Sequence, residues 1–293
     1  MNKALLAMGD TTRLAQGFLH GLNGRHLFFS YGNVVPDLSS FETSYWMGGA
    51  YACKLRNIGL ATNLCSPGSA WLPSLDIELT ARKVYEGTLA DLSDTKREIW
   101  VKPSEAKIST IPAGVYSFDK LSKLFEAGKF SPEISLQWTH EVMSINYEHR
   151  FFVAEGEICT GSAYLVNKVG YHHGIDQSRM AEAKAFAEYV ITSDPSNMPF
   201  SFTLDVGLNL KTGKWFVIEA NRAWSSGLYG CDPAAALEVI DSSCAAGFEE
   251  KWQWRPDAHL IELSKSWPPL EVHDINANSL EFVTFEDFSS SHS

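Results

Sequence analysis

Polar and hydrophobic residues alternate most clearly in the second half of the chain, where they predict two β-hairpins. In the first, residues 150–153 lead into a turn at 155–156, and the chain returns through 158–166. In the second, residues 200–210 turn and return through 215–220. Each connection carries a glycine beside charged residues, which is typical of hairpin turns. This half of the chain is therefore predicted to contain antiparallel sheet.

Apolar residues at helical spacing, with proline or glycine near the segment ends, predict helices elsewhere. Pro233 opens one of them, and Ser178 is the predicted N-cap of another. A β-prone run at 99–101 ends in Lys102 just before a proline, which places a lysine at the end of a strand. A further β-prone run covers 134–139. The predicted helices cover 45–56, 75–92, 119–127, 178–191 and 233–246.

These elements divide the chain into three parts. Residues 1–95 are rich in glycine, serine and aromatic residues with weak periodicity, and they predict a small α/β lobe. The sharper β-rich pattern occupies 96–250. Residues 251–293 form a C-terminal extension, and its acidic, serine-rich end from residue 276 is expected to be mobile unless its phenylalanines dock.

Charge and cysteine usage narrow the class of protein. The 24 basic and 35 acidic side chains of this 293-residue chain give a net charge of −11, which argues against a nucleic-acid partner because nucleic-acid backbones are bound through clustered Lys and Arg. The five cysteines show no CxxC pair and no zinc-ligand spacing, so we expect neither a disulfide scaffold nor structural zinc. No apolar run approaches the ~18 residues that cross a bilayer. We expect a soluble, cytoplasmic protein without a membrane partner.

Several familiar catalytic signatures are missing from the sequence. It contains no GxGxxG after a strand, no GxSxG, no HExxH and no kinase HRD or DFG. Residues 207–214 come closest to a Walker A loop, but Trp215 stands where Ser or Thr would hold Mg²⁺, so a hairpin turn is favoured. The adjacent His172 and His173 would point to opposite faces of a strand, which favours surface histidines over metal ligands.

Three oxygen-bearing side chains occur in the second predicted hairpin. Asp205 lies in its first strand, and Glu219 and Asn221 lie at the end of the returning strand. Residues two apart share a face of a strand, so Glu219 and Asn221 are predicted to lie together with Asp205 alongside. Buried oxygen donors need a cation, and Mg²⁺ prefers such ligands together with phosphate. Two alternatives stay open here: a Mg²⁺ site, or an Asp205 hydrogen-bonded in the turn and a Glu219 paired with a Lys or Arg.

Two basic residues precede this trio in the chain. Lys102 is suited to meet nucleotide phosphates as a point charge, and Arg150 is suited to a bidentate phosphate or acyl-phosphate contact. Between them, residues 137–142 are a candidate adenine-facing hinge that includes Trp138.

The order of five segments carries a family resemblance. In chain order the segments are Ile99-Trp100-Val101-Lys102-Pro103, Leu136-Gln137-Trp138-Thr139-His140-Glu141-Val142, Glu148-His149-Arg150-Phe151-Phe152-Val153, Leu204-Asp205-Val206-Gly207 and Val217-Ile218-Glu219-Ala220-Asn221. This order resembles an ATP-grasp domain, most of all a mostly uncharacterised phage and bacterial clade of that superfamily, over about residues 98–245. The resemblance implies an α/β (α+β) fold with two antiparallel-sheet subdomains around a nucleotide, preceded here by the small α/β lobe.

The resemblance also implies roles for individual residues. Lys102 would bind the phosphates of ATP, and Arg150 would stabilise the transferred phosphoryl group. Asp205, Glu219 and Asn221 would hold two Mg²⁺ ions. The residues implied to bind the nucleotide are Lys102, Gln137, Trp138, Thr139, Glu141, Val142 and, near the ribose, Glu148.

ATP-grasp ligases phosphorylate a carboxylate with ATP, and an amine then displaces the phosphate. The implied function is therefore an ADP-forming carboxylate-amine ligase that acts on small molecules, with an amino acid or a peptide as one substrate. Arg222, with Ser225, Ser226 and Tyr229 in the same loop, would hold a substrate carboxylate; an ordinary salt bridge is the alternative for Arg222. Two other functions stay open, namely a phosphotransferase that acts on a hydroxyl group and a catalytically silent relative that binds nucleotide or a protein. The oligomeric state is open.

The chain departs from the common family pattern at two places. A glycine-rich lid is expected after the lysine, but residues 104–114 contain one glycine. The N-terminal lobe carries no motif that can be aligned, so the acceptor site stays unassigned.

Overall fold

The computed structural model of the chain describes residues 2–8, 22–30, 32–167, 169–170 and 179–274. Three predictions lie outside the described residues: the N-cap at Ser178, the pair His172 and His173, and the tail 276–293. Within the described ranges, no helix is both long enough and apolar enough to cross a membrane.

The N-terminal lobe is built on a parallel sheet. Strand β1 lies between β2 and β4 and pairs with both in parallel. The centre of β1 is apolar and fully buried, because it is covered on both faces. The elements of this lobe are β1 (Asn2–Met8), β2 (His26–Ser30), β3 (Val34–Pro36), β4 (Phe41–Trp46) and helix α1 (Gly49–Asn57).

A second, antiparallel sheet carries the predicted lysine strand. Its strand order is β5-β8-β6-β7, and Leu121 and Phe125 of helix α4 pack into its core. Strand β5 precedes residue 95 in the chain but pairs with β8, so this sheet draws on both sides of the predicted domain boundary. The elements are α2 (Trp71–Ser74), α3 (Ile77–Thr80), β5 (Tyr85–Gly87), β6 (Ile99–Pro103), β7 (Gly114–Tyr116), α4 (Phe118–Gly128) and β8 (Leu136–Thr139).

A third, antiparallel sheet contains both predicted hairpins. Its strand order is β11-β10-β9-β12-β13, and helix α5 packs on one face through Ala183, Ala187 and Val190. The first hairpin turns at Glu155 and Gly156, which both have positive φ (53° and 79°), as a tight two-residue hairpin turn requires. The elements are β9 (Ile145–Ala154), β10 (Glu157–Val166), β11 (Val169–Gly170), α5 (Met180–Ser193), β12 (Ser201–Asn209) and β13 (Lys214–Asn221).

The C-terminal part of the chain returns to the N-terminal lobe. Asp232 caps helix α6 by accepting a hydrogen bond from the backbone N–H of Ala235 at 2.8 Å, and a proline opens the helix. The final strand pairs with β3 in parallel. The elements are α6 (Pro233–Ser243), α7 (Ala258–Lys265) and β14 (Glu271–His273), and the short 3₁₀ turns of the chain are Ala90–Leu92, Pro195–Asn197, Ala223–Ser225 and Glu250–Trp252.

Two predicted helices are wrong in extent. The segment 45–56 begins as a strand, because Tyr45 and Trp46 pair with β1, and the helix starts only after Gly48, whose backbone is extended. The segment 75–92 contains the single helical turn of α3, which stops at Ala81 because this residue adopts a left-handed conformation (φ 54°). The predicted helices at 119–127, 178–191 and 233–246 correspond to α4, α5 and a shorter α6.

Candidate active site

Asp205 lies on the central strand β12, opposite Arg150 of β9 and Glu219 of β13. Its neighbours Leu204 and Val206 belong to the core under α5, so Asp205 points to the other face of the sheet by strand alternation. The Arg150 guanidinium donates Nε–H to Asp205 Oδ1 at 2.8 Å and Nη2–H to Oδ2 at 2.7 Å. Both side chains are buried, and the pair is bidentate.

A β-bulge brings Glu219 to the same face as Asp205. Val206 pairs with Val217, whereas Asp205 pairs with Glu219, so Ile218 is the extra residue in β13. Strict alternation would put Glu219 on the core face beside Val217; the bulge reverses this and turns Glu219 away from the core.

The predicted trio is therefore brought together, with Asn221 between the carboxylates. Asn221 Nδ2 donates to Glu219 Oε1 at 2.8 Å and to Asp205 Oδ2 at 3.3 Å. The ammonium of Lys102 donates to Glu219 Oε2 from β6. We call Lys102, Arg150, Asp205, Glu219 and Asn221 the polar cluster. Because Lys102 belongs to the second sheet and the other members to the third, the cluster joins the two antiparallel sheets.

Electrostatics within the polar cluster favour ionised groups. Burial alone would raise the pKa of Glu219, but the Lys102 ammonium and the hydrogen bonds from Asn221 and Lys102 outweigh burial and lower this pKa to about 2. The two carboxylates and two cations of the cluster balance one another. Of the two alternatives for the carboxylates, ion pairing describes Glu219 in this structure, and Asp205 is likewise paired, with an arginine of the adjacent strand.

The donor set also fits Mg²⁺ in chemical type. Carboxylate and amide oxygens are hard ligands that suit this ion, and those of Asp205, Glu219 and Asn221 converge. Among the described residues, no group of three or more histidine, cysteine or acidic side chains is arranged to hold a metal ion, so a site here needs the amide oxygen of Asn221 as its third ligand. Since Asn221 now donates its amide N–H groups to both carboxylates, holding a metal requires this amide to turn over.

Aromatic rings enclose the Arg150 guanidinium. The ring of Tyr229 stacks on Tyr164 with centroids 4.8 Å apart, and the guanidinium carbon lies 5.0 Å and 5.7 Å from the two ring centroids. Its third nitrogen, Nη1, donates to the carbonyl of Gly227 at 3.3 Å. Glu148 accepts a hydrogen bond from Tyr164, and burial raises the pKa of this carboxyl, as do the nearby acidic groups.

The predicted adenine hinge begins inside the second sheet. Strand β8 pairs with β5 on one side and β6 on the other, so the chain leaves the sheet only after Thr139. The Gln137 amide donates to the carbonyl of Ser69 at 2.6 Å, and Trp138 stacks on Tyr85. Beyond the strand, Thr139 Oγ1 donates to Glu141 Oε2 at 2.8 Å, and Val142 is 58 % exposed.

The loop after Asn221 places Arg222 against an acidic residue. Arg222 Nη2 donates to the Glu105 carbonyl at 2.8 Å, and Nη1 lies 3.4 Å from Glu105 Oε2. The guanidinium also lies over the rings of Trp224 and Trp254. Of the two alternatives for Arg222, the salt bridge describes this structure.

The two predicted serines of this loop differ in their surroundings. Ser226 is buried, and its hydroxyl donates to the carbonyl of Arg222 at 2.8 Å and shares a hydrogen bond of 2.9 Å with Thr203. Ser225 is half-buried in a 3₁₀ turn.

Sequence reasoning missed Arg82, which lies just after α3. Its buried guanidinium donates to the carbonyls of Thr80, Val217 and Ile218 at 2.8, 3.1 and 3.3 Å. Burial lowers the pKa of this arginine to about 10, although the charges of Glu141 and Glu219 oppose the shift. A helix was predicted across this position, so no sequence signal directed attention to the residue; a charged residue beside the buried Leu79 and Val84 was the available hint.

Comparisons with known proteins agree with this architecture. The model of an ATP-grasp domain family, the second family of its clade, matches residues 79–239, which is more than half of the chain. The structure of D-cycloserine synthetase DcsG is similar, with a TM-score of 0.51 and 14% identity over 83% of this chain and 100% of that chain. The structure of D-alanine--D-alanine ligase from Bacillus anthracis matches with a TM-score of 0.49 and 12% identity over 83% of this chain and 97% of that one. No curated protein sequence matches significantly.

Proposed function

Because this chain belongs to that clade-specific family of ATP-grasp domains, we propose that it is an ATP-dependent carboxylate-amine ligase that releases ADP and phosphate. The observation that carries this proposal is the polar cluster, in which the lysine of one antiparallel sheet meets two carboxylates and an amide of the other. The likeness to D-cycloserine synthetase DcsG supports the fold, and the ligase activity rests on the cluster and the family together.

In this proposal each member of the polar cluster has a role in binding Mg-ATP. Lys102 neutralises the phosphates, while Asp205, Glu219 and Asn221 hold Mg²⁺. Residues 137–142 border the adenine, and Glu148 lies towards the ribose. The bound Mg²⁺ would supply charge neutralisation for phosphoryl transfer, in which catalysis is mostly positioning and electrostatic stabilisation.

The ion pairs of the cluster are suited to an exchange of partners. Glu219 now neutralises Lys102, and Asp205 neutralises Arg150. A triphosphate together with Mg²⁺ carries both signs of charge, so Lys102 exchanges a carboxylate for phosphate while Glu219 exchanges an ammonium for the metal. Charge stays balanced throughout, which avoids the large cost of burying an unpaired ion. Arg150 keeps Asp205 oriented, and its charge stabilises the transferred phosphoryl group.

The proposed chemistry has two steps. A carboxylate oxygen of the first substrate bonds to the γ-phosphorus, and ADP leaves. The amine nitrogen of the second substrate then bonds to the acyl carbon, the carbon–oxygen bond to phosphate breaks, and phosphate leaves with the bonding electron pair while the nitrogen loses its proton to solvent.

Product analysis tests the proposal. The protein is incubated with Mg-ATP and a pool of amino acids and short peptides, and products are identified by mass spectrometry. We expect ADP and phosphate in equal amounts together with a new amide, and neither without an amine. A stable phosphorylated product would instead indicate a phosphotransferase, and Mg-ATP binding without any turnover would indicate a catalytically silent relative. Glu188→Gln, at an exposed position on α5, is the matched control for Glu219→Gln, which we expect to abolish turnover.

A further inference from the structure

A cavity of about 690 Å³ lies beside the polar cluster without being part of it. One wall is the loop 66–70, the opposite wall is the segment 249–255, and Glu105 lies at the end nearest the cluster. The walls are joined, because the backbone N–H of Ser66 donates to the Trp252 carbonyl at 2.9 Å and Cys65 pairs with Gln253 as an isolated β-bridge. We call this space the Glu105 cavity. Its volume suits a small molecule such as an amino acid or short peptide.

Glu105 is a buried carboxylate with little compensation. Its side chain is 12 % exposed, and its ion pair with Arg222 Nη1 spans 3.4 Å. Within the part of the chain that the structure describes, no side chain or backbone group donates a hydrogen bond to this carboxylate, and Arg222 Nη1 likewise has no hydrogen-bond acceptor. Burial raises the pKa of Glu105, although Arg222 and Lys102 oppose the shift. Buried carboxylates are normally satisfied by hydrogen-bond donors, so a donor from a ligand suits this position.

The position of Glu105 links the cavity to the polar cluster. Glu105 follows Lys102 by three residues, and its partner Arg222 follows Asn221 directly. A group bound to Glu105 therefore lies beside the residues proposed to hold the transferred phosphoryl group. The acyl phosphate of the proposed reaction would form at this end of the cavity.

The opposite segment of the cavity supplies positive charge. Lys251 and Arg255 line it, with side chains 48 % and 74 % exposed. Their ion pairs with Glu249 and Glu250 are exposed, and exposed pairs contribute little free energy, so a ligand carboxylate can compete for both cations. A negative group at one end and cations at the other match a molecule that carries both an ammonium and a carboxylate.

We propose that the Glu105 cavity binds the amine acceptor, an amino acid or the N-terminus of a short peptide, with its ammonium on Glu105 and its carboxylate towards Lys251 and Arg255. This inference rests on the proposed ligase function and assigns the acceptor site that the sequence left unassigned. The ammonium supplies the donors that Glu105 lacks, through charge-assisted hydrogen bonds.

Calorimetric titration tests this inference. Each of the twenty amino acids, glycylglycine and their Nα-acetyl derivatives is titrated into the free protein and into protein saturated with Mg-ADP. We expect at least one free amine to bind and its acetylated form to bind at least tenfold more weakly, because acetylation removes the ammonium. Glu105→Gln should weaken binding of the same amine at least tenfold, whereas Glu188→Gln should leave it within twofold.

The outcomes separate this inference from the function on which it rests. Mg-ADP binding without binding of any free amine would overturn the Glu105 assignment and leave the ligase proposal standing. The same conclusion follows if the acetylated compound binds as well as the free amine, or if Glu105→Gln binds like the wild type. Absence of Mg-ADP binding would count against the ligase proposal, while amine binding that depends on Glu105 in the free protein would still support the cavity. Thermal unfolding of Glu105→Gln verifies that the variant is folded.

Discussion

The buried pair between Arg150 and Asp205 makes a stability prediction that the structure allows us to quantify. Asp205→Asn keeps the shape of the side chain but removes its charge, which leaves the Arg150 guanidinium buried without its counterion. The two side chains are 8 % and 1 % exposed, so water cannot compensate. Removing one partner of a buried pair typically costs about 3–5 kcal/mol. An asparagine oxygen still accepts one hydrogen bond, so we expect a loss near the lower end of that range.

Urea unfolding followed by tryptophan fluorescence measures this loss. Glu188→Gln breaks the exposed pair between Lys184 and Glu188, whose side chains are 52 % and 55 % exposed, and should cost less than about 0.5 kcal/mol. The double variant Arg150→Met/Asp205→Leu should be more stable than Asp205→Asn, because it removes both charges. An Asp205→Asn variant within about 1 kcal/mol of the wild type would refute the reasoning, since the pair would then not be the buried, mutually compensating unit that the distances indicate.

Three further predictions follow from the same contacts. Arg82→Ala should destabilise the protein by about 2–4 kcal/mol in urea unfolding, because three buried carbonyls lose their donor; a loss below about 0.5 kcal/mol would contradict this. Glu219 has its pKa lowered from 4.5 to about 2, so its ionised form stabilises the fold above about pH 4.5 and this contribution is lost as pH falls towards 2; Glu219→Gln should flatten that part of the stability profile, and an unchanged profile would contradict the pairing. Lys102→Ala should weaken Mg-ATP binding at least tenfold in calorimetry, and unchanged affinity would remove the phosphate role of this lysine.

The parts of the site that the sequence predicted depend on local patterns. Glu219 and Asn221 are two residues apart in one strand, and their placement on a single face is confirmed by the hydrogen bonds of the Asn221 amide. The hairpins were recognisable from their turn residues, and the position of Lys102 from the proline that follows. Five segments in a fixed order were sufficient to predict the ATP-grasp fold, which the family match confirms.

The parts that the sequence did not predict depend on contacts between distant segments. The register of β9 against β12 places Arg150 beside Asp205, 55 residues along the chain, and no local pattern encodes this register. The bulge at Ile218 that turns Glu219 to the cluster face is also a feature of strand pairing. Glu105 was passed over because an isolated glutamate in a loop has no signature; its burial comes from segments 66–70 and 249–255, which fold against it.

The direct measurement for the central claim is calorimetric titration of the wild-type protein with ATP, once with Mg²⁺ and once with the metal removed by a chelator. If the polar cluster binds a metal-bridged triphosphate, ATP should bind at least tenfold more tightly with Mg²⁺. Lys102→Ala should lose affinity in both conditions, and Glu219→Gln should lose mainly the difference between them. ATP binding of equal strength with and without the metal, or no binding in either condition, would contradict the account.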